Sequence, residues 1–372
     1  MEEEVYRLTQ QGFTYTEPSQ WRVRLIPRGQ AAFCAMPEVK VNFPYQYDCF
    51  ILAHHAISDG ITIATLIQGV LDILNDLLSD RPVNDAVQLG KFSKAEKIVQ
   101  VKCKIREDLI RNPQRLEALI GTLPPPEKSL LLLEAFHRPA DVTPRTRHVR
   151  RMLEPWLTDG FRAKSKTMGV TLNSSFVAVI HAAITELARE EGIVRDSYRL
   201  SSLNVVNLRR YMTSSRPLPL GGYTTSLSYS VDVGKDVRET FWQHCRKINQ
   251  ELQDHLKLGV ALEQKVAVEM AEEAISPDDY YDNPPTVTHD FTVSNMGDMS
   301  LMTPGVGKHV QITSLQPLNT IHKYIHMNCH QIFTFRGRCP YTLSYVTDYM
   351  TQETANRLAD KVVFLLEGLI SK

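Results

Sequence analysis

An α/β architecture is what this sequence predicts, on three grounds. Strand-like apolar runs and helical spacings mix through both halves of the chain, with no internal repeat. The 372 residues are 43% hydrophobic and 23% charged, enough apolar chain for two domains or lobes with substantial cores. One strand-to-helix junction, His54-His55-Ala56-Ile57-Ser58-Asp59-Gly60, carries more chemistry than packing alone explains.

The elements follow in order. Met1 to Pro18 is polar and weakly patterned. Trp21 to Ile26 alternates apolar and basic residues, as a half-buried strand does. Cys49 to Ala53 is apolar at nearly every position, which suits a central strand covered on both faces. Beyond the junction, apolar residues at 63, 64, 67, 70, 71, 74, 77 and 78 define a helix with one broad apolar face, closed by Asp80-Arg81-Pro82. Helices are also expected over Lys94 to Ile110 and Gln114 to Ile120. The run Pro124-Pro125-Pro126 then interrupts the chain, and Thr122 to Arg147 reads as a crossover between lobes, with Leu130 to Leu133 as a short packed island. The arginine-rich stretch Arg138 to Arg151 lacks interleaved aromatic residues and reads as a solvated connector. The domain division expected is 1–121, a crossover over 122–147, and a second lobe over 148–372.

In the second half, Trp156 to Met168 and Asn173 to Glu190 have helical spacing, the latter with Phe176, Val177, Ile180, Ala183, Ile184 and Leu187 on one face. Arg199 to Asn207, ending in Asn207-Leu208-Arg209-Arg210, and Thr224 to Val233 read as strands. A long helix is expected over Val237 to Leu258. Phe291 to Ser294 is a short strand running into the turn-rich Asn295-Met296-Gly297-Asp298. Strands around Ile325 to Phe335 and Tyr341 to Thr347 flank the hairpin signal Arg336-Gly337-Arg338. The last helix starts at Thr351 as N-cap and packs Ala355, Leu358, Ala359, Val362, Leu365, Leu366 and Leu369.

The totals bound the partners. Lys plus Arg and Asp plus Glu are both 42, so nothing favours a polyanion such as nucleic acid. The cysteines (Cys34, Cys49, Cys103, Cys245, Cys329, Cys339) show no CxxC pair or zinc-finger spacing. With an acidic start and no apolar leader, they point to a reducing, intracellular setting. No window approaches the roughly 20 apolar residues of a membrane span, so a cytoplasmic protein is expected.

The junction has the make-up of a general-base site. Neighbouring side chains in a strand point to opposite faces, so one histidine of the pair faces a given cavity. An acid four residues after His55 can turn inward to hold the turn, and Gly60 allows a backbone that a Cβ would restrict. An imidazole near neutrality on such a support suits proton abstraction. A histidine pair by itself is more often structural or solvated. His322, His326 and His330 recur every four residues beside Cys329, a spacing for a metal face on a helix. Their surroundings read as strand and no acid completes a set, so these histidines are expected to be satisfied or exposed, and no metal is expected. Asp278-Asp279 with Asp282 reads as a solvated acidic turn. There is no GxSxG elbow, P-loop or GxGxxG before a helix.

The whole seven-residue pattern, strand before and helix after, resembles the HHxxxDG signature of the CoA-dependent acyltransferase superfamily. That superfamily includes chloramphenicol acetyltransferase, plant BAHD acyltransferases, condensation domains of nonribosomal peptide synthetases and mycobacterial polyketide-associated acyltransferases. Asn207-Leu208-Arg209, followed by Pro217 to Tyr223, resembles the BAHD stretch in which DxR precedes a Pro-Leu-Pro and Gly-Tyr run, with Asn in place of the Asp. Ser294-Asn295-Met296-Gly297 is similar to the SNxG strand end of condensation-like members. The DFGWG motif is absent, which argues against the plant branch. The signature begins at residue 54, much earlier than is usual, so an N-terminal lobe short of its first strands and helix is expected, with an uncovered sheet edge.

The resemblance implies a two-lobed chloramphenicol-acetyltransferase-like fold, each lobe a mixed sheet flanked by helices, with a tunnel between them. It implies an acyltransferase that moves an acyl group from a CoA thioester to a small alcohol or amine, with His55 as general base at the tunnel midpoint. Asp59 would turn away from the tunnel and pair with an arginine, for which Arg209 is the candidate. His54 and Gly60 would be structural, and Ser294, Asn295 and Gly297 would line the tunnel or stabilise an oxyanion. Acyl-CoA would be a co-substrate and no cofactor would be permanently bound. Two alternatives stand beside this: a condensation-type domain fed in trans by a carrier-protein thioester, and a non-catalytic remnant.

Overall fold

The computed structural model describes residues 2–13, 19–29, 32–86, 89–92, 96–125, 128–212, 219–272, 286–322 and 326–370. Its early part holds α1 (Glu2–Gln10), β1 (Trp21–Arg28), α2 (Pro37–Lys40), β2 (Gln46–Ala53) and α3 (Gly60–Leu77). A middle part follows with β3 (Lys91–Phe92), α4 (Glu96–Arg111), α5 (Pro113–Ile120) and α6 (Leu131–Ala135). Then come β4 (Thr146–Leu153), α7 (Pro155–Thr167), α8 (Leu172–Glu190), β5 (Ser197–Asn207), β6 (Pro219–Leu220) and β7 (Thr224–Gly234). The chain ends with α9 (Phe241–Leu258), α10 (Val260–Glu272), β8 (Phe291–Asp298), β9 (Asn328–Thr334), β10 (Cys339–Val346) and α11 (Gln352–Ile370).

A six-stranded mixed sheet, in the order β4-β10-β9-β8-β5-β7, organises the second half. The β5–β8 and β8–β9 pairs are parallel and the others antiparallel. One face carries Leu200, Leu227, Val231, Phe291, Ile332, Tyr341 and Leu343 into the main core, against α8, α9 and α11. Helix α8 is buried almost all round, as its apolar and alanine-rich sequence requires. Thr171 caps its start by accepting from Ser174 N at 3.1 Å, and Thr351 caps α11 by accepting from Thr354 N at 3.0 Å. The opposite face is polar. The register aligns Ser228, Thr292, Ser294, Gln331, Thr342 and Ser344 there, and all six are buried.

Several elements differ from their sequence-based expectation. The first residues form α1, whose Glu4 pairs with Arg24 at 2.8 Å. The alternation of β1 is real, but its arginine side faces α1 and Phe13, and its apolar side faces solvent. The strand around Cys49 is not central, since β2 pairs only with β1 among the described residues. Helix α3 is present, but Val70, Ile73, Leu74 and Leu77 are exposed and the inner face is Thr62, Ala64, Leu71 and Asn75. That face grips a long segment after β8. Asn75 accepts from His309 N and Val310 N at 2.7 and 3.1 Å, and Thr303 Oγ1 donates to Ala64 O at 2.6 Å. By length and composition α3 would pass for a membrane span, but these bonds tie its inner side to protein.

The arginine-rich connector is β-structure from Thr146 onward: Val149 and Leu153 join the main core, Thr146 Oγ1 accepts from Ile321 N and His322 N on the other face, and Arg151 reaches Asp360 at 2.7 Å. The helix expected from Val237 starts at Phe241, and a second helix, α10, follows the left-handed Gly259 (φ +74°). Helices α4 and α5 pack on α10. Residues 295–298 are strand with a register shift rather than a free turn. The acidic stretch at 278–282 lies outside the described residues.

Candidate functional site

Strand β2 ends at Ala53, and the junction after it is a tight turn. Ile57 N donates to His54 O at 3.1 Å, and Ala56 N donates to His54 Nδ1 at 3.1 Å. His54 is thus spent on holding its own turn, with its ring edge-on to Phe13. His55 is exposed at the head of the turn.

Asp59 is buried and turns the opposite way. Its Oδ1 accepts from Thr62 N at 2.9 Å and so caps α3. Its Oδ2 accepts from Arg209 Nη1 at 2.6 Å and from Tyr223 N at 2.9 Å. The Asp59 and Arg209 side chains are only 2% and 6% exposed. A buried charge is tolerated when paired and hydrogen-bonded, and every donor of Arg209 finds an acceptor here. Its Nε donates to Pro219 O at 3.0 Å, Nη2 to Thr62 Oγ1 at 3.0 Å, and its face covers the Tyr223 ring. Asn207 replaces the acid of the DxR pattern and accepts from Arg209 N at 3.0 Å, the local bond that starts the short 3₁₀ turn after β5.

Two contacts seat the turn. A Cβ on Gly222 would lie 3.0 Å from His55 O and 3.3 Å from Ala56 O, so that backbone approach needs glycine. A Cβ on Gly60 would lie 2.9 Å from Met296 Sδ on β8. Thr62 Oγ1 donates to Gly221 O at 2.9 Å and accepts from Gly221 N at 3.0 Å, which locks α3 to the same loop.

The structure therefore brings together His54, His55, Asp59, Gly60 and Arg209, along with Met296 from β8. Ser294 is buried on the polar face of the sheet. Asn295 is used locally, accepting from Gly297 N at 3.0 Å, and Gly297 is at φ +70°. That bond through Oδ1 holds the bulge. Thr62, Tyr223 and Gly222 belong to the site and were not singled out as site residues from sequence. A polar residue in the first turn of an apolar helix was the available signal for Thr62.

The histidines every four residues separate. His322 Nδ1 lies 3.0 Å from Thr146 Oγ1. His330 points into the core, with Nδ1 2.9 Å from Tyr341 Oη, and burial pushes its imidazole down to about 3. His326 sits near the turn: burial, with the neighbouring charge of His55, pushes it down to about 4. Its Nδ1 lies 2.9 Å from Thr292 Oγ1. Farther along the polar face, His289 Nε2 lies 2.8 Å from Ser228 Oγ. Among the described residues no group of three His, Cys, Asp or Glu is placed to hold a metal. Two surface cavities of about 630 and 380 Å³ are lined by other residues entirely.

No family model matches the sequence, and a search of curated proteins finds no match. Solved structures do match. Trichothecene 15-O-acetyltransferase TRI3 from Fusarium sporotrichioides superposes with a TM-score of 0.63 at 12% identity, over 99% of this chain and 73% of that one. The EpoB cyclization-docking bidomain of a nonribosomal peptide synthetase from Sorangium cellulosum gives 0.62 at 13%, over 100% and 68%. The epimerization domain of tyrocidine synthetase B gives 0.57 at 14%, over 87% and 69%. The chain has the two-lobed, chloramphenicol-acetyltransferase-like fold that these structures share.

Proposed function

From a fold shared with an acetyltransferase and with peptide-synthetase domains, we propose that this chain is an acyltransferase. It moves an acyl group from a CoA thioester to the hydroxyl or amine of a small molecule. The observation that carries the reading is the buried Asp59–Arg209 pair, which spends the acid on architecture and leaves His55 outward at the head of the turn. Asp59 cannot serve as a proton carrier while it accepts from Arg209, Tyr223 N and Thr62 N. His55 takes the proton of the acceptor as that atom attacks the thioester carbonyl, then returns it to the departing sulfur. Acceptor and donor are held together, so no covalent enzyme intermediate is needed.

The peptide-synthetase neighbours favour a second reading, in which a carrier protein presents the thioester in trans. One experiment separates the two. Purified protein is incubated with a panel of acyl-CoAs and mixed alcohols and amines, following free thiol beside a His55→Ala variant. Acceptor-dependent release that is lost in the variant supports the CoA reading. Release that persists removes His55 as the base. Turnover only with carrier-loaded thioesters selects the second reading, and none with either donor from the folded protein leaves a non-catalytic role.

A further inference from the structure

The ribbon of β1 and β2 has two unlike faces. On the reverse face, Arg22 donates to Gln11 O and Gly12 O at 3.3 and 3.1 Å and lies over the Phe13 ring, while Arg24 pairs with Glu4 at 2.8 Å. Helix α1 and the chain just after it therefore cover that side. The register fixes what stands on the other. At its ends are the cross-strand pairs Trp21–Ala53 and Pro27–Tyr47, and between them Val23–Ile51 and Leu25–Cys49. None of these side chains is charged, and Trp21, Val23, Leu25, Pro27, Tyr47 and Cys49 are exposed. Among the described residues β1 and β2 pair only with each other, and a two-stranded ribbon is marginal in water unless its apolar face is packed.

Size and position on this face restrict what can pack there. Each end pair sets a bulky ring beside a small residue, and the two rings occupy diagonal corners, Trp21 at the start of β1 and Tyr47 near the start of β2. Two copies laid face to face as aligned sheets are related by a two-fold axis between them, along the strands or across them. An axis along the strands seats each Trp21 on Ala53 of the other copy and each Tyr47 on Pro27. An axis across the strands seats Trp21 on Pro27 and Tyr47 on Ala53. In both arrangements large side chains meet small ones, as interdigitating layers require. Rings on one strand, or at one end, would collide in one of the two.

Charge and area point the same way. The arginines of β1 lie on the reverse face, Arg24 beside Glu4 and Arg28 3.4 Å from Asp48, so the apolar face itself offers no cation to an anionic lipid or an acidic peptide. The exposed parts of Trp21, Val23, Leu25 and Tyr47 amount to about 500 Å², and the whole face to roughly 600 Å², so a pair of copies covers about 1,200 Å², the lower bound of a specific interface. We infer that the chain forms a two-fold homodimer through this face, the two ribbons stacked about 10 Å apart. The inference stands apart from the acyl-transfer reading. A small interface without charge at its centre gives a dimer of about micromolar affinity that exchanges with free monomer.

Sedimentation of the full chain from about 1 to 100 μM tests this. The expected result is a shift from 42.3 kDa to twice that mass, with no larger species. Leu25→Lys, in the middle of the face, is expected to weaken association at least about 30-fold and Trp21→Ala about tenfold, both with unchanged circular dichroism. If Leu25→Lys does not fold, Trp21→Ala decides. Leu258→Lys, at another exposed leucine at the end of α9, is expected to leave the dimer intact. Monomer throughout, or a dimer indifferent to both face variants, overturns the inference. So does open-ended association in place of a fixed pair. Neutral phosphatidylcholine vesicles are run in parallel: monomeric protein that floats with them, and ceases to in Leu25→Lys, overturns the dimer and assigns the face to a membrane.

Discussion

Removing one partner of the Asp59–Arg209 pair should destabilise the protein far more than removing both in combination would suggest. In Asp59→Ala, the guanidinium loses its 2.6 and 3.3 Å bonds and stays enclosed, and Tyr223 N and Thr62 N lose their acceptor. Breaking a buried pair from one side costs about 3–5 kcal/mol. In Arg209→Met the carboxylate keeps two backbone donors but loses its counter-charge, so a cost of similar order is expected, about 3–5 kcal/mol. The double variant buries no net charge. What remains is the loss of backbone partners, about 1–3 kcal/mol. The two single costs, together about 6–10 kcal/mol, then exceed that of the double variant, so the coupling should be at least about 3 kcal/mol, at or above the upper range for residues in one network. Urea unfolding of wild type, both single variants and the double variant measures it, provided the m-values agree. Single-variant costs under about 1 kcal/mol would place the pair with ordinary surface bridges. Additive costs would show that the two residues act separately. Either result refutes the view that this pair sets the turn carrying His55.

Two further expectations concern the ground around that turn. Gly222→Ala places a Cβ 3.0 Å from His55 O, so the turn must give way by a few tenths of an ångström. A stability cost of about 1 kcal/mol with at least about a tenfold loss of acyl transfer is expected, and unchanged activity would show that the turn tolerates the shift. On the outer face of the β1–β2 ribbon, Trp21, Val23, Leu25 and Tyr47 are 58%, 52%, 59% and 55% exposed. The double variant Val23→Thr, Leu25→Lys should lower fluorescent-dye binding and concentration-dependent self-association without altering the acyl-transfer rate; no change in either property would mean this face is not a sticky surface.

The sequence by itself determined the local chemistry. Period-two alternation in Trp21 to Ile26, helical spacing after Gly60 and the hairpin at Arg336-Gly337-Arg338 each map to an element, because local backbone preference and side-chain period are properties of a short window. The motif residues His54, His55, Asp59 and Gly60 were legible for the same reason, as was Thr351 as a cap. Sequence distance hid the rest. Which face of β1 is covered depends on α1, whose Glu4 draws in Arg24 and leaves Val23 and Leu25 to solvent. The inner side of α3 mixes polar and apolar residues, because the segment at 303–310 bonds to this helix through Ala64 O, Gln68 and Asn75, partners more than 230 residues away in sequence. His326 looked like one of three equivalent strand histidines. Only the folding of β8 and β9 beside the junction turn separates it from His330, which the pleat sends into the core. A pattern can state what a residue is able to do, but the partners that decide whether it does so arrive from distant parts of the chain.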